Sequence, residues 1–340
     1  MNLIGGEPSP TQRPMAAEES TYSPLQMFIV ELQRYPAIGA LAGFLVVFIG
    51  FAIFAERFVT PDNLAGILAV AAQLGIVAVG ATFLMISGEF DLSVGSVVGV
   101  SAMTVVILSN AEVPQFIAAL IALIFSALIG LMNGAIVIWV RIPSFIVTLG
   151  TMMLWRGLLF AVTGGFPIRY RGYTTLMHVL NGPLSGEGFR SSAFWLLFVV
   201  AIFSTILTQT RYGNAVFATG GDPAAARALG INIKRVKVTN FVISATLAGL
   251  VGLMLFSRFK SSAPTYGDGM ELEAIAASVI GGALLTGGYG SIMGTLLGSL
   301  LMGMVAQGLV LAGAPTYWYR AFIGVILIIA VIINTKVRGK

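Results

Sequence analysis

The chain has 340 residues, of which 57% are hydrophobic and 10% are charged, whereas about a quarter of the residues of an ordinary soluble domain are charged. This composition excludes a soluble globular protein. The chain has no cysteine and one histidine, so it has no disulfide framework, no thiolate metal site and no imidazole cluster. Its net charge of +5 is spread between apolar runs and forms no basic tract, which excludes a nucleic-acid-binding surface.

Apolar runs of membrane-spanning length recur along the chain. A bilayer core of about 30 Å requires about 20 apolar residues per helix. Nine clear runs cover residues 37–55, 64–86, 93–109, 114–140, 144–163, 193–209, 238–257, 291–313 and 317–333. A tenth run, 274–287, is short and ends in Thr286-Gly287-Gly288, which indicates either a broken helix or one that penetrates the membrane only partly.

The distribution of Lys and Arg predicts the orientation. Ten crossings place both termini on one side, together with the loop after Arg141 and the segment 210–237; this side holds eleven of the 19 basic residues. Basic residues favour the cytoplasmic side, so we expect both termini there. If 274–287 does not cross, the basic tail lies outside. We expect three parts: a cytoplasmic segment 1–36, one membrane domain 37–334 and a cytoplasmic tail 335–340.

The N-terminal segment is polar up to Tyr22. A lead of 36 residues before the first apolar run is too long for a signal peptide, so we expect it to be retained. Residues 23–26 read Ser-Pro-Leu-Gln, a capping box with proline at the first helical position, and 27–32 supply an apolar face. This pattern predicts a short interfacial helix.

The segment 210–237 is the longest polar insertion on the predicted cytoplasmic side. Within residues 220–230 the sequence predicts one short helix, because Asp222 can cap it, Pro223 fits its first turn and Gly230 can end it. About seven helical residues are too few to be stable alone in water. The helix is therefore either a connector docked on its own protein or a contact with a cytoplasmic protein.

Four blocks of sequence resemble, in order, the membrane subunits of ABC sugar importers of the ribose/xylose type. The resemblance spans residues 88–294. Two departures, Phe90 in place of the usual isoleucine and Ala283-Leu284 in place of small polar residues, concern the identity of the substrate. The blocks are GEFDLSVGS at 88–96, PSFIVTLGTM at 143–152 followed by Arg156-Gly157, GGDPAAARALGI at 220–231, and ELEAIAA at 271–277 followed by Gly281-Gly282 and GGYGS at 287–291.

This resemblance implies an all-α integral membrane permease of about ten helices, some of them broken, with a fold resembling that of the vitamin B12 importer. It implies a multi-pass protein of the bacterial inner membrane, embedded in lipid, in a dimer of identical or paralogous chains. The partners implied are a cytoplasmic ABC ATPase, contacted by the 222–230 helix, and a periplasmic binding protein that delivers a ribose- or xylose-like monosaccharide. The implied ATPase-coupling residues are Gly221, Asp222, Ala225, Arg227 and Gly230.

The chain contains no phosphate-cradling Gly-x-x-x-x-Gly-Lys-Ser/Thr sequence. An ATP-driven importer must therefore take its energy from another polypeptide, and this chain is expected to be a transport subunit without cofactors rather than an enzyme.

Asp91 has two compatible interpretations. It caps a helix beginning near Leu92, or the glycine-flanked break at 88–95 lines the inner end of the pathway, where irregular backbone is tolerated beside water or protein. The same alternatives apply to the break at 286–291. The candidate pathway residues are Phe90, Asp91, Ser93, Thr286 and Ser291.

Arg156 and the arginines of the 164–190 loop are interpreted separately. Arg156 is the basic residue that clearly lies within a predicted span, and we expect its side chain to reach outward or pair with another helix rather than contact substrate. The loop 164–190 is either an ordinary exposed loop, in which His178 is a surface residue, or a docking surface. In the second case Arg169, Arg171 and Arg190 would hold an acidic rim on a binding protein.

Two other classes compete with the importer subunit. An ion-coupled secondary transporter of a small neutral solute would normally place Asp, Glu or His at the membrane midplane, and the predicted spans offer none unless Asp91 or Glu89 lies deeper. An intramembrane hydrolase would need a serine and a base, but no Gly-x-Ser-x-Gly occurs and His178 is predicted to lie outside lipid. The importer subunit is favoured.

Overall fold

The computed structural model describes residues 36–184, 188–315 and 317–338, and the interfacial helix predicted at 23–32 lies outside them. A π-helical turn, Ile136–Val140, extends the helix that ends at Ala135, and two short strands pair antiparallel. The elements are α1 Pro36–Phe54, α2 Pro61–Ile86, α3 Val94–Asn110, α4 Gln115–Ala135, α5 Ser144–Thr163, β1 Ile168–Arg169, α6 Thr175–Asn181, α7 Ser192–Gln209, α8 Arg211–Gly221, α9 Pro223–Ala228, α10 Ile233–Phe259, β2 Ser261–Ser262, α11 Met270–Ile280, α12 Ile292–Leu311 and α13 Trp318–Arg338.

All nine clear apolar runs are helical, within a few residues of the predicted bounds. In the described part of the chain, six helices are long and apolar enough to cross a membrane: Pro61–Ile86, Gln115–Val140, Ser144–Thr163, Ser192–Gln209, Ile233–Phe259 and Ile292–Leu311. Three shorter apolar helices accompany them: Gly39–Phe54, Val94–Asn110 and Trp318–Ile332.

The tenth apolar run forms the short helix α11. Its 11 residues span about 16 Å at 1.5 Å per residue, so α11 alone is too short for a core of about 30 Å. The helix begins at Met270 and ends at Ile280, before the predicted break. The connection that follows bends at three glycines in the left-handed region, with φ of +92° at Gly282, +87° at Gly287 and +75° at Gly288.

The segment 210–237 contains more helix than the sequence pattern predicts. Besides the expected α9 it holds α8, and α10 begins at Ile233, within the segment. The predicted short helix is present as α9, whereas α8 and the early start of α10 were not predicted. α8 is capped by the hydroxyl of Thr210, which accepts a hydrogen bond from the N–H of Gly213 at 3.2 Å.

Helices α2 and α10 form the centre of the bundle. α2 packs against α7, α10, α11 and α12, while α10 packs against α3 and α4. Missing side chains allow these close crossings. A Cβ at Gly80 would lie 2.7 Å from Cα of Ser244, and a Cβ at Gly130 would lie 2.4 Å from the carbonyl oxygen of Phe241.

The outer faces of several helices remain apolar. α5, for example, exposes Phe145, Ile146, Met153, Leu154 and Leu158. Apolar surface of this extent is unfavourable in water and is what a lipid-facing helix presents. The packing and the exposed surface together describe a helical membrane protein.

The strand pair and α6 lie at the end of the bundle opposite α9, because β2 follows the last residue of α10 and α9 precedes its first. Leu176, Met177 and Leu180 of α6 are buried, and the side-chain amide of Asn181 donates to the carbonyl oxygen of Met254 at 3.2 Å. The interpretation of 164–190 as an ordinary exposed loop is therefore wrong for α6, which packs on α10. His178 is exposed, as predicted.

Candidate translocation and coupling sites

The start of α9 is capped as the sequence predicts. Oδ1 of Asp222 accepts hydrogen bonds from the backbone N–H groups of Ala224 at 2.9 Å and Ala225 at 3.0 Å. Pro223, which has no N–H to satisfy, occupies the first helical position. Two of the donors that a helix start leaves unpaired are thereby satisfied.

α9 is terminated by a glycine in the left-handed backbone conformation. Gly230 has φ of +82°, and the N–H of Ile231 donates to the carbonyl oxygen of Ala226 at 3.0 Å. Ala226 is 2% exposed and is the buried residue of this helix, whereas Leu229 just beyond it is 80% exposed. α9 is thus fixed at both ends, anchored by one alanine, and presents the rest of its surface outward.

All five predicted coupling residues lie on or beside α9 and are exposed. One ends α8, one caps α9, two lie on α9 and one forms its stop; in that order they are Gly221, Asp222, Ala225, Arg227 and Gly230.

The first predicted break contains a buried polar chain. Oδ1 of Asp91 accepts from the backbone N–H of Ser93 at 2.8 Å and from its hydroxyl at 2.6 Å, and that hydroxyl accepts from the side-chain amide of Asn133 at 2.8 Å. The helix begins at Val94, two residues later than the expected start near Leu92. Asp91 therefore satisfies one donor at the start of α3 and also ties the break to α4.

Asp91 lies in the connection between α2 and α3 and is 5% exposed. Burial raises the pKa of its carboxyl to about 6, although the hydrogen bonds from Ser93 oppose this rise. Its second oxygen, Oδ2, is buried and has no hydrogen-bond partner among the described residues. The carboxylate thus keeps an acceptor free for water or a ligand.

The second predicted break behaves differently. Thr286 is exposed in the 281–291 connection. The hydroxyl of Ser291 caps α12, accepting from the N–H of Gly294 at 3.3 Å. The capping interpretation therefore holds for Ser291.

Phe90 connects the two breaks. Its ring packs against the cluster that contains Val279 and Ala283, at the end of α11 and in the connection after it. Its backbone N–H donates to the hydroxyl of Ser144, the first residue of α5, at 3.2 Å. The structure therefore brings the two predicted breaks together at one end of the bundle, the end at which α9 lies.

Two polar contacts at this end were not predicted. Nζ of Lys237 lies 2.5 Å from Oε1 of Glu89, and both side chains are largely buried. The side-chain amide of Asn240 donates to the carbonyl oxygen of Phe83 at 3.1 Å and to the hydroxyl of Ser87 at 3.0 Å. These partners are about 150 residues apart in sequence, and no local pattern links them.

Arg156 pairs with the backbone of the connection between β2 and α11, and not with another helix. Nη1 donates to the carbonyl oxygens of Pro264 at 2.7 Å and Tyr266 at 2.9 Å. Glu271, which is 8% exposed, packs its carboxylate against α3, because a Cβ at Gly95 would come within 2.1 Å of its Oε2 atom. Glu271 is thus a buried carboxylate that the hydropathy pattern did not reveal.

The three predicted docking arginines do not form one cluster. Arg169 and Arg171 are exposed and line a cavity of about 660 Å³, together with Gln115 and other residues of the α3–α4 turn. Arg190 does not line it; its guanidinium donates to the carbonyl oxygen of Asn181 at 3.1 Å. Arg190 therefore has a structural contact, whereas Arg169 and Arg171 form no ion pair with any residue that the structure describes.

In the described residues, six apolar helices of membrane-spanning length define a multi-pass membrane protein. Over residues 63–331 the chain matches the family described as "Branched-chain amino acid transport system / permease component", and it belongs to that family. This confirms that the chain is a permease subunit and not an enzyme.

Individual relatives have similar lengths. The chain is 35% identical over 297 residues to the probable ABC transporter permease protein YphD of Escherichia coli (strain K12), covering 87% of this chain and 89% of that protein. It is 35% identical over 286 residues to the ribose import permease protein RbsC of the same strain, covering 82% and 88%. It is 30% identical over 307 residues to the autoinducer 2 import system permease protein LsrC of Shigella flexneri, covering 90% and 89%. The resemblance to importer permeases is thereby confirmed.

Proposed function

We propose that this chain forms the membrane pathway of an ATP-binding cassette importer for a monosaccharide of the ribose or xylose type, in a bacterial inner membrane. The family description names branched-chain amino acids, but a relative at 35% identity over 82% of the chain is a ribose import permease. Apolar spans with few charges suit a neutral cargo better than a zwitterion, because an amino acid would require countercharges along the pathway.

The observation that carries the proposal is the geometry of α9. A six-residue helix is unstable alone, yet both of its ends are satisfied while all but one of its residues are exposed. An exposed helix that is held at both ends is suited to a contact that transmits force from another protein. We assign it as the surface on which a cytoplasmic ATPase acts, with Asp222 holding its shape and Arg227 offering charge.

The remaining architecture is assigned from the apolar runs, the distribution of basic residues and the resemblance to importer permeases. The membrane domain covers residues 37–334 and crosses the membrane about ten times with both termini in the cytoplasm, in a fold resembling that of the vitamin B12 importer. A second permease copy, identical or paralogous, completes the pathway. The opposite end, where Arg169 and Arg171 line the cavity, receives a periplasmic sugar-binding protein. The inner pathway includes Phe90, Asp91, Ser93, Thr286 and Ser291.

The test replaces Asp222 and Arg227 together by alanine in the assembled importer. ATP-driven sugar uptake into proteoliposomes should vanish while the variant still inserts and purifies as a folded permease. The matched control, Asp222→Asn with Arg227→Lys, keeps the cap acceptor and the charge and should retain uptake. Unimpaired uptake by the alanine pair would refute the docking assignment.

The cargo is tested in the same vesicles. Labelled ribose or xylose should be taken up in competition with unlabelled pentose, and an excess of leucine or valine should leave uptake unchanged. Uptake of the amino acid instead would overturn the sugar assignment and leave the coupling assignment in place.

A further inference from the structure

Three glycine-containing segments meet by backbone at the end of α2. The N–H of Gly288 donates to the carbonyl oxygen of Ile86 at 2.8 Å. A Cβ at Gly220, the second-to-last residue of α8, would lie 1.8 Å from that same oxygen. A Cβ at Gly287 would lie 3.2 Å from Cα of Gly88. We call this contact of Gly88, Gly220 and Gly287–Gly288 the glycine joint.

The glycine joint joins elements with different roles. Gly88 opens the first pathway break, Gly287–Gly288 lie in the second, and Gly220 is the second-to-last residue of α8, which leads directly into α9. Backbones in direct contact have no side chains that can change rotamer to absorb a displacement. A movement of one segment must therefore move the others or separate them, as expected for packed protein interiors.

A second contact ties the other side of α9 to the same place. α10 follows α9, and its Lys237 forms the ion pair of 2.5 Å with Glu89 in the first break. Asn240, one turn further along α10, donates to Phe83 and Ser87 at the end of α2 and accepts from the hydroxyl of Tyr212 in α8 at 2.6 Å. Both helices that flank α9 thus hold the end of α2.

We infer that Gly220 and the Glu89–Lys237 pair are positioning residues for transport, which transmit the displacement of α9 to the two pathway breaks. The inference rests on the proposed function, in which α9 receives the force of the ATPase. It adds the route by which that force reaches the pathway. None of these three residues touches the cargo or the ATPase in this assignment.

Two helical glycines provide a matched test. Gly220→Ala places a methyl group on the carbonyl oxygen of Ile86, whereas a Cβ at Gly50 of α1 meets no atom within 4 Å. In proteoliposomes that contain the ATPase and the binding protein, Gly220→Ala should hydrolyse ATP but take up at least tenfold less sugar per ATP. Gly50→Ala should keep the ratio of the unsubstituted protein.

The ion pair provides a second, independent variant. Lys237→Glu should lower the uptake per ATP, and Glu89→Lys combined with Lys237→Glu should restore it, because the swapped pair recreates the contact. Rescue by exchange is not expected if the two side chains only fill space. If Gly220→Ala fails to insert, this rescue alone decides the inference.

Equal ratios of sugar to ATP for Gly220→Ala and Gly50→Ala, or no rescue by the swapped pair, would overturn the inference. The proposed function fails in a different way, since the Asp222→Ala/Arg227→Ala variant would then keep its uptake. If only the inference about the glycine joint is wrong, the Asp222→Ala/Arg227→Ala variant is still inactive, whereas Gly220→Ala takes up as much sugar per ATP as the unsubstituted protein.

Discussion

The cap of α9 gives the account its most quantitative prediction. Asp222 satisfies two backbone donors at 2.9 and 3.0 Å, and α9 has one buried side chain, so side-chain packing offsets little of the loss of the cap. Replacing an aspartate cap by alanine costs about 0.5 to 2 kcal/mol. Because about 1.4 kcal/mol corresponds to a factor of ten, we expect Asp222→Ala to weaken binding of the ATPase about fivefold, within a range of roughly 2- to 30-fold.

The assay titrates labelled ATPase with the permease in nanodiscs, and amide hydrogen exchange of residues 224–229 reports the helix itself. Asp222→Asn keeps an oxygen acceptor and should bind within about twofold of the unsubstituted chain. Equal weakening by both variants would mean that the charge of Asp222, and not its cap, matters. Unchanged binding of Asp222→Ala, with faster exchange in α9, would show that the ATPase does not need this helix and would refute the reasoning.

Two further predictions concern packing and ionisation. Gly130→Ala places a Cβ 2.4 Å from the carbonyl oxygen of Phe241. This overpacking should cost about 1 to 3 kcal/mol and lower the midpoint of thermal unfolding in detergent. The control Gly150→Ala, whose Cβ meets nothing within 4 Å, should not lower the midpoint. Burial raises the pKa of the Asp91 carboxyl from 3.8 to about 6. Because the folded state then binds the carboxyl proton more tightly than the unfolded chain does, the unsubstituted protein should lose stability as the pH rises from about 4 to about 6. Asp91→Asn should lose less over the same interval, and parallel pH profiles of the two proteins would contradict the assignment.

Much of the fold follows from the sequence because the bilayer imposes helix length. An apolar run must be long enough to cross, and the nine clear runs are helices for that reason. The helix α9 was also predictable, since Asp222 and Gly230 are strong local signals for its two ends.

The start of α11 could not be read from hydropathy. Glu271 and Glu273 lie in its first turn, where negative charge is favourable beside the helix N-terminus. A hydropathy criterion nevertheless treats them as the flank of the run and places the start at residue 274. α8 was missed because its glycine-rich and polar sequence lacks an apolar run, and its cap at Thr210 carries little weight alone.

The contacts of the candidate site are the least predictable part. Glu89 and Lys237 are 148 residues apart, and their pairing depends on the crossing of α2 and α10. The need for glycine at position 220 likewise depends on the close approach of the backbones of Ile86 and Gly288. Sequence blocks indicate that these segments have a role, but only the packed structure shows that they touch.

The central claim is that this chain is a passive pathway driven by a separate ATPase. It is tested most directly by comparing two vesicle preparations, one with the purified permease alone and one with the permease, its ATPase and its binding protein. We predict that the permease alone hydrolyses no ATP and accumulates no sugar under any ion gradient, and that the full assembly concentrates sugar when ATP is supplied. Accumulation by the permease alone on a proton or sodium gradient would contradict the account.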